Sequence, residues 1–395
     1  MSPSDAAKPP MLELPATLAR ALYAGHPWIY RDHVPARFTA PAGTFVCIKA
    51  GRYTGYALWD PDSALALRVF SARELPNEAW VGERIARASE LRSGLEAQGT
   101  TAFRLLYGEG DGLPGVTVDV YGKFAVLVAY SKALEQVASW VVKALEASGR
   151  FQGIVRRSGR RAERAKEKLA LVSGRMPPRE LVVSENGLRF AVDLEAGQKT
   201  GLYLDHRENR SFVEAHSRGR RVLNLYSYTG AFSLYAVRGG ATEVVSVDAA
   251  EPAAAAARRN FELNGFYPAQ HEFVVADALE YLSNDKGPRF ELAICDPPSF
   301  ASSKGELKAA LRAYVKLNSA ALKRCSPLGL YAAASCTAQL SPEAFRGVLA
   351  EAADNARVRL QIVHEAGHAV DHPYFAGHLE GRYLKFMVGR VLPIA

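Results

Sequence analysis

Three aspartates, one cysteine and one aromatic turn are the residues of this chain best suited to chemistry. Asp248 closes the run Val244-Val245-Ser246-Val247, Asp277 follows Phe273-Val274-Val275-Ala276, and Asp296 closes Leu292-Ala293-Ile294-Cys295. Each acid ends an apolar, strand-like stretch, and parallel α/β sheets bind ligands outside the carboxyl ends of their strands. The turn Tyr226-Ser227-Tyr228-Thr229-Gly230-Ala231-Phe232 follows an earlier run of the same kind, Arg221–Tyr226. Gly230 would let a ligand approach the backbone closely, and the Asp248 carboxylate, one strand over, can accept both hydroxyl hydrogens of a ribose. A dinucleotide enzyme would show G-x-G-x-x-G, with glycines making room for a pyrophosphate. Here one glycine sits among bulky tyrosines. The pattern favours a nucleoside ligand without phosphates, S-adenosylmethionine. Tyr226, Thr229 and Gly230 would line its methionine, Asp248 its ribose and Asp277 its adenine side.

Asp296-Pro297-Pro298-Ser299-Phe300 narrows the reaction. Two prolines make a rigid strand exit without two N–H donors; an acid before them and an aromatic after can hold a planar base against a methyl donor. Carbon C5 of a pyrimidine is a poor nucleophile. A thiolate added at C6 makes C5 enamine-like, and loss of the C5 proton later expels the thiolate, which is covalent catalysis. Such a thiol must sit beside the base pocket. Cys336, in Ser335-Cys336-Thr337 at the end of the strand-like run Gly329–Ser335, is at the right sheet edge. Cys295 lies one residue inside its strand, where alternation turns it away from Asp296, so it reads as core.

These residues need a scaffold of alternating strands and helices. Strands are expected at Arg221–Tyr226, Glu243–Asp248, Glu272–Ala276, Phe290–Asp296 and Gly329–Ser335. A helix over Glu251–Leu263 has Pro252 in its first turn and Asn264-Gly265 as its stop. Leu307, Leu311, Tyr314, Val315 and Leu322 share one helical face. This alternation implies a doubly wound α/β fold with a parallel sheet. Upstream, short apolar stretches at Thr44–Ile48 and Ala64–Phe70, broken by Gly and Pro, look like a small β-barrel. A small α/β domain follows, with strands at Val116–Val120 and Phe124–Tyr130 and a helix over Ala133–Ser148. Its end carries a hairpin turn at Asn186-Gly187. The expected segments are a tail 1–10, domains 11–75 and 76–186, and a catalytic domain 187–395.

Composition sets bounds on partners and compartment. With 48% hydrophobic and 23% charged residues in 395, disorder is excluded and a sizeable core is expected. No run reaches the roughly 18 apolar residues of a membrane helix. Met1–Pro10 lacks a secretory pattern, and four scattered cysteines suggest neither a disulfide framework nor a Cys-type zinc site. A reducing cytoplasm, no membrane and no metal are therefore expected. The net charge is +8, unevenly spread. Arg156, Arg157, Arg160, Arg161 and Arg164 begin a basic segment running to Arg179, suited to phosphate backbones.

Beyond these separate readings, the chain resembles the class I methyltransferases that make 5-methylcytosine in 23S (large-subunit) ribosomal RNA. Gly25-His26-Pro27-Trp28-Ile29-Tyr30 resembles the opening of their PUA domain. The segment Tyr107-Gly108-Glu109-Gly110-Asp111-Gly112-Leu113-Pro114-Gly115 resembles the signature of their central domain. Lys199-Thr200-Gly201-Leu202-Tyr203-Leu204-Asp205 is similar to the segment that helps enclose their cofactor, and their catalytic cysteine motif falls on Ser335-Cys336-Thr337. The resemblance implies an N-terminal PUA β-barrel, a small central α/β domain and a C-terminal Rossmann-like catalytic domain. It implies Thr200 and Tyr203 at the cofactor, Trp28 at the RNA, and 23S ribosomal RNA or a partly assembled large subunit as partner. The oligomeric state, monomer or homodimer, stays open. Relatives that methylate a guanine ring nitrogen share the Asp-Pro-Pro-aromatic turn but need no thiolate, so Cys336 separates the two readings. An inactive RNA-binding protein on the same fold is a third. His364-Glu365-Ala366-Gly367-His368 matches the zinc-protease H-E-x-x-H, but Leu360–Val363 reads as a strand and Gly367 weakens a helix. His368, His372 and His378 are expected at the surface.

Overall fold

The computed structural model describes residues 8–157, 169–195, 197, 201–267, 271–284, 287–301 and 303–394. Among them the chain runs β1 (Met11–Leu14), α1 (Ala19–Tyr23), β2 (Trp28–Tyr30), β3 (Phe45–Ala50), β4 (Tyr53–Trp59) and β5 (Leu65–Ser71). These strands form one sheet, ordered β1-β3-β4-β5-β2, over a core that includes Ile29, Val46, Ile48, Trp59 and Leu67. Next come α2 (Glu78–Ala97), β6 (Ala102–Tyr107), β7 (Val116–Tyr121), β8 (Phe124–Ala129), α3 (Glu135–Ala147), β9 (Gly153–Arg156) and β10 (Ala170–Gly174). Their sheet is ordered β10-β9-β8-β7-β6, with α3 as the crossover between the parallel pair β8 and β9.

A hairpin, β11 (Leu181–Glu185) and β12 (Leu188–Val192), turns at Asn186-Gly187 with both residues in the left-handed region. The expected domain boundary at 186/187 falls in this two-residue turn, between paired strands. By contacts the described chain divides into two units: one covers Met1–Val183, Val192–Gly201 and Val370–Gly381, the other Ser184–Ala191, Leu202–Ala369 and Arg382–Ala395.

The second unit continues with α4 (Arg207–Ala215), β13 (Arg221–Leu225), α5 (Ala231–Arg238), β14 (Glu243–Asp248), α6 (Glu251–Leu263), β15 (Glu272–Val275), α7 (Ala278–Leu282) and β16 (Phe290–Cys295). It ends with α8 (Leu307–Lys323), β17 (Cys325–Ser335), α9 (Pro342–Asn355), β18 (Val358–Ala366) and β19 (Lys385–Pro393). The sheet order is β15-β14-β13-β16-β17-β19-β18, parallel through β17 and antiparallel at β19 and β18. This is a Rossmann-like sheet, and the five-stranded sheet β1-β3-β4-β5-β2 occupies the N-terminal end of the chain.

The period-2 alternation of a strand sorts its side chains between two cores. Val222, Val244, Leu292, Ile294, Ala332, Phe386 and Val388 pack with Val213 of α4 and with Phe232 and Ala236 of α5. Their neighbours in sequence, including Leu223, Val245, Ala293, Cys295, Tyr331 and Met387, pack on the opposite face with α7, α8 and α9. Cys295 is thus core, as alternation requires, and burial pushes its thiol up to about 12. By the same parity Asp296 leaves its strand toward the α4 side.

Candidate active site

The aromatic turn joins β13 to α5 through three left-handed residues, Tyr226, Tyr228 and Gly230. Left-handed backbone costs a side-chain-bearing residue free energy, and the sheet offsets it here. Ser227 donates to Val247 O (3.0 Å) and Tyr228 N to Asp248 Oδ2 (2.8 Å), so β14 grips the turn. From beneath, the buried Asn260 of α6 donates to Thr229 O (2.9 Å) and accepts from Ala191 N (2.8 Å). Gly230 is required by its φ of 77° and by α6. A Cβ there would meet the Ala257 Cβ at 3.0 Å, so the missing side chain makes room for α6.

Asp248 accepts one backbone N–H on each oxygen, the second from Ala250 (3.0 Å). A carboxylate has about four lone-pair sites, so capacity for two hydroxyls remains. Asp277 is the N-cap of α7, its Oδ1 accepting from Leu279 and Glu280. Tyr203 lies edge-on to Tyr228, ring centroids 5.5 Å apart. Burial, then the charges of Asp296 and Asp205, hold its hydroxyl well above the usual range, so it stays neutral. Thr200 lies outside the described residues.

Past the end of β16 and the end of β17, the two motifs singled out for base chemistry are bonded together. Ser299 Oγ is 3.0 Å from Thr337 Oγ1, Thr337 Oγ1 is 2.9 Å from the Tyr314 hydroxyl, and Ser335 Oγ donates to that hydroxyl (3.0 Å). Phe300 packs on the Tyr314 ring at 4.6 Å. Cys336, partly exposed, sits between the two bonded residues Ser335 and Thr337.

Two features were missed in the sequence. Lys385, 1% exposed at the start of β19 and opposite Ser335, donates to Thr337 O (2.5 Å) and Tyr383 O (2.6 Å). Burial pushes its ammonium down to about 8, against the pull of the neighbouring Cys336. A lysine heading the apolar run Phe386-Met387-Val388 was the available signal. His206, 3% exposed, stands 3.3 Å from Asp296 Oδ2. No motif marked it.

Other expected site residues have partners within the protein. Trp28 donates its indole N–H to Glu109 (2.9 Å) and packs on His378 at 4.5 Å. Arg156 is forked onto Glu135 (2.5 and 2.6 Å), and Arg157 donates to Gly197 O (2.9 Å). These three side chains are engaged within the protein. Arg160, Arg161 and Arg164 lie outside the described residues. His364 and Glu365 belong to β18, where His364 stacks on Phe212 and Glu365 pairs with Arg346, so the H-E-x-x-H string is not a helical metal motif. His372 and His378 are buried, contrary to expectation, because Asp371 and Trp28 draw them inward.

Residues 111–360 match the S-adenosylmethionine-dependent methyltransferase family and residues 12–72 a PUA-like domain. "Ribosomal RNA large subunit methyltransferase I" of Photobacterium profundum is 35% identical over 93% of this chain and 95% of its own. The Aeromonas salmonicida protein of that name is 36% identical, over 94% and 96%. The chain belongs to this methyltransferase family. Among solved structures, a methyltransferase complexed with SAH superimposes with a TM-score of 0.86 at 25% identity, covering 97% of this chain and all of the other. An S-adenosylmethionine-dependent methyltransferase from Streptococcus mutans gives 0.84 at 25% identity with the same coverage. The cofactor of the methyltransferase is S-adenosylmethionine. The site fits it: an aromatic turn with a single glycine, a strand-end carboxylate with spare acceptor capacity, and a neutral tyrosine. Among the described residues, no helix is long and apolar enough to cross a membrane.

Proposed function

We propose that this methyltransferase modifies C5 of a cytosine in 23S ribosomal RNA through a covalent bond from Cys336 to C6. The observation that carries the reading is the bonded cluster Ser299, Thr337, Tyr314 and Ser335, which sets a partly exposed thiol beside the Asp296 turn. A relative's name supplies the class of RNA.

In this reading Asp248 takes the ribose of the cofactor, Asp277 the adenine side, Tyr226 and Thr229 the methionine, with Thr200 and Tyr203 enclosing it. When bound, S-adenosylmethionine supplies an electrophilic methyl group on a sulfonium. The PUA-like domain and the basic segment around Arg160, Arg161 and Arg164 hold structured RNA by phosphate and shape contacts. The target cytosine leaves its stack. Asp296 holds the base edge and stabilises the proton on its ring nitrogen. The Cys336 thiolate adds to C6, which makes C5 nucleophilic toward that methyl group; removal of the C5 proton from the methylated adduct then breaks the sulfur–carbon bond and returns the thiolate. The cytoplasm, where ribosomal subunits form, is the matching compartment.

The test is Cys336→Ala. Turnover on 23S transcript is expected to vanish while calorimetric affinity for S-adenosylmethionine stays within about twofold. Undiminished methylation by this variant rejects the thiolate route, and a methylated guanine nitrogen among the products would select the competing base.

A further inference from the structure

A strand-end aspartate usually steadies its carboxylate on the backbone N–H two residues ahead. This chain does so at two other strand ends: Asp248 accepts from Ala250 N and Asp277 from Leu279 N. Asp296 cannot. The next two residues are Pro297 and Pro298, which have no N–H to give. A carboxylate that must hold a base edge is thereby deprived of its ordinary local anchor, and its side chain is 22% exposed.

The group that faces it instead is His206, at the N-cap of α4. The buried Asn209 donates from Nδ2 to Gly367 O (3.1 Å), and the same nitrogen is 3.0 Å from Nδ1 of His206. An amide NH2 only donates, so Nδ1 must accept, and the neutral imidazole carries its proton on Nε2. That nitrogen is the one 3.3 Å from Asp296 Oδ2. The rings of Phe232 and Phe386, 5.3 and 6.1 Å from the imidazole, wall it in. Oδ1 of Asp296 takes no hydrogen bond among the described residues.

We propose that His206, locked in one tautomer by Asn209, is the positioning residue for Asp296, holding Oδ2 so that Oδ1 meets the target base. The inference rests on the reading that Asp296 contacts that base, and it applies to a cytosine or a guanine alike. A glutamine can present an N–H donor from nearly the same place; a leucine fills the space without one.

The experiment compares His206→Gln and His206→Leu with the parent on 23S transcript, with SAH affinity and melting temperature measured alongside. His206→Leu is expected to lower kcat on the order of 10- to 100-fold, with KM for RNA and SAH affinity within about threefold. His206→Gln is expected to keep kcat within about threefold of the parent. A leucine variant as fast as the parent, or a glutamine variant as slow as leucine, overturns the relay. Cys336→Ala, assayed in parallel, separates the outcomes: if it remains active the cytosine reading fails, while the glutamine–leucine contrast still reports on Asp296.

Discussion

A single carboxylate or ammonium in this site answers to how much water it has lost and what replaced it. Asp248 gives each oxygen one backbone N–H and keeps acceptor capacity for a diol. Bonds to a charged group contribute roughly 1.5–3 kcal/mol, so Asp248→Ala is expected to weaken S-adenosylmethionine binding about 10- to 100-fold by calorimetry. Unaltered affinity removes it from the cofactor site. Lys385 is the opposite case, a cation whose hydrogen bonds among the described residues go to carbonyls and which burial pushes from 10.5 to about 8. The unfolded chain therefore binds this proton more tightly than the folded one. Its contribution to stability is full above pH 10.5 and declines as pH falls to about 8. Chemical denaturation at pH 10 and pH 8 is expected to show the parent losing about 2 kcal/mol relative to Lys385→Met as pH falls across that window; parallel curves would mean the lysine is not desolvated.

At the scale of elements, polar bonds join pieces distant in the chain. The hairpin β11–β12 is tied to α4 by Arg210, which is forked onto Glu185 (2.8 and 2.7 Å) with both side chains fully buried, and the Tyr235 hydroxyl of α5 donates to the same carboxylate (2.9 Å). Removing one partner of a buried pair strands the other charge, at a cost of about 3–5 kcal/mol. Glu185→Ala is accordingly expected to lower the melting temperature by several degrees, and Arg210 with Glu185 both made apolar to recover much of the loss. A melting temperature unchanged in the single variant would show the pair to be immaterial. Where the chemistry sits, the same logic uses hydroxyls: Ser299, Thr337 and Tyr314 bind the exit of β16 to the exit of β17.

Across the whole molecule, charge is the property that reaches furthest. The net +8 is concentrated around Arg160, Arg161 and Arg164, whereas Arg156 is already neutralised by Glu135, which holds the guanidinium above its ordinary range. Exchanging Arg160 and Arg161 for glutamate is expected to reduce the slope of log affinity against log salt by about one to two for 23S transcript. An unchanged slope would make that segment irrelevant to binding.

Periodicity and turn chemistry are local, and they were legible: the strands ending in Asp248 and Cys295, helix α6 with Pro252 near its start, and the hairpin at Asn186-Gly187 all stand where the residue pattern put them. So was the separation of Cys295 from Cys336, because alternation depends on neighbours alone. Bonds between residues far apart were not. That Pro297 and Pro298 leave Asp296 to a histidine on another element, that Lys385 stands behind the cysteine strand, and that Gly230 is required by a helix are consequences of packing. Sequence spacing encodes which way a side chain leaves its own strand; only the closed sheet determines what it meets.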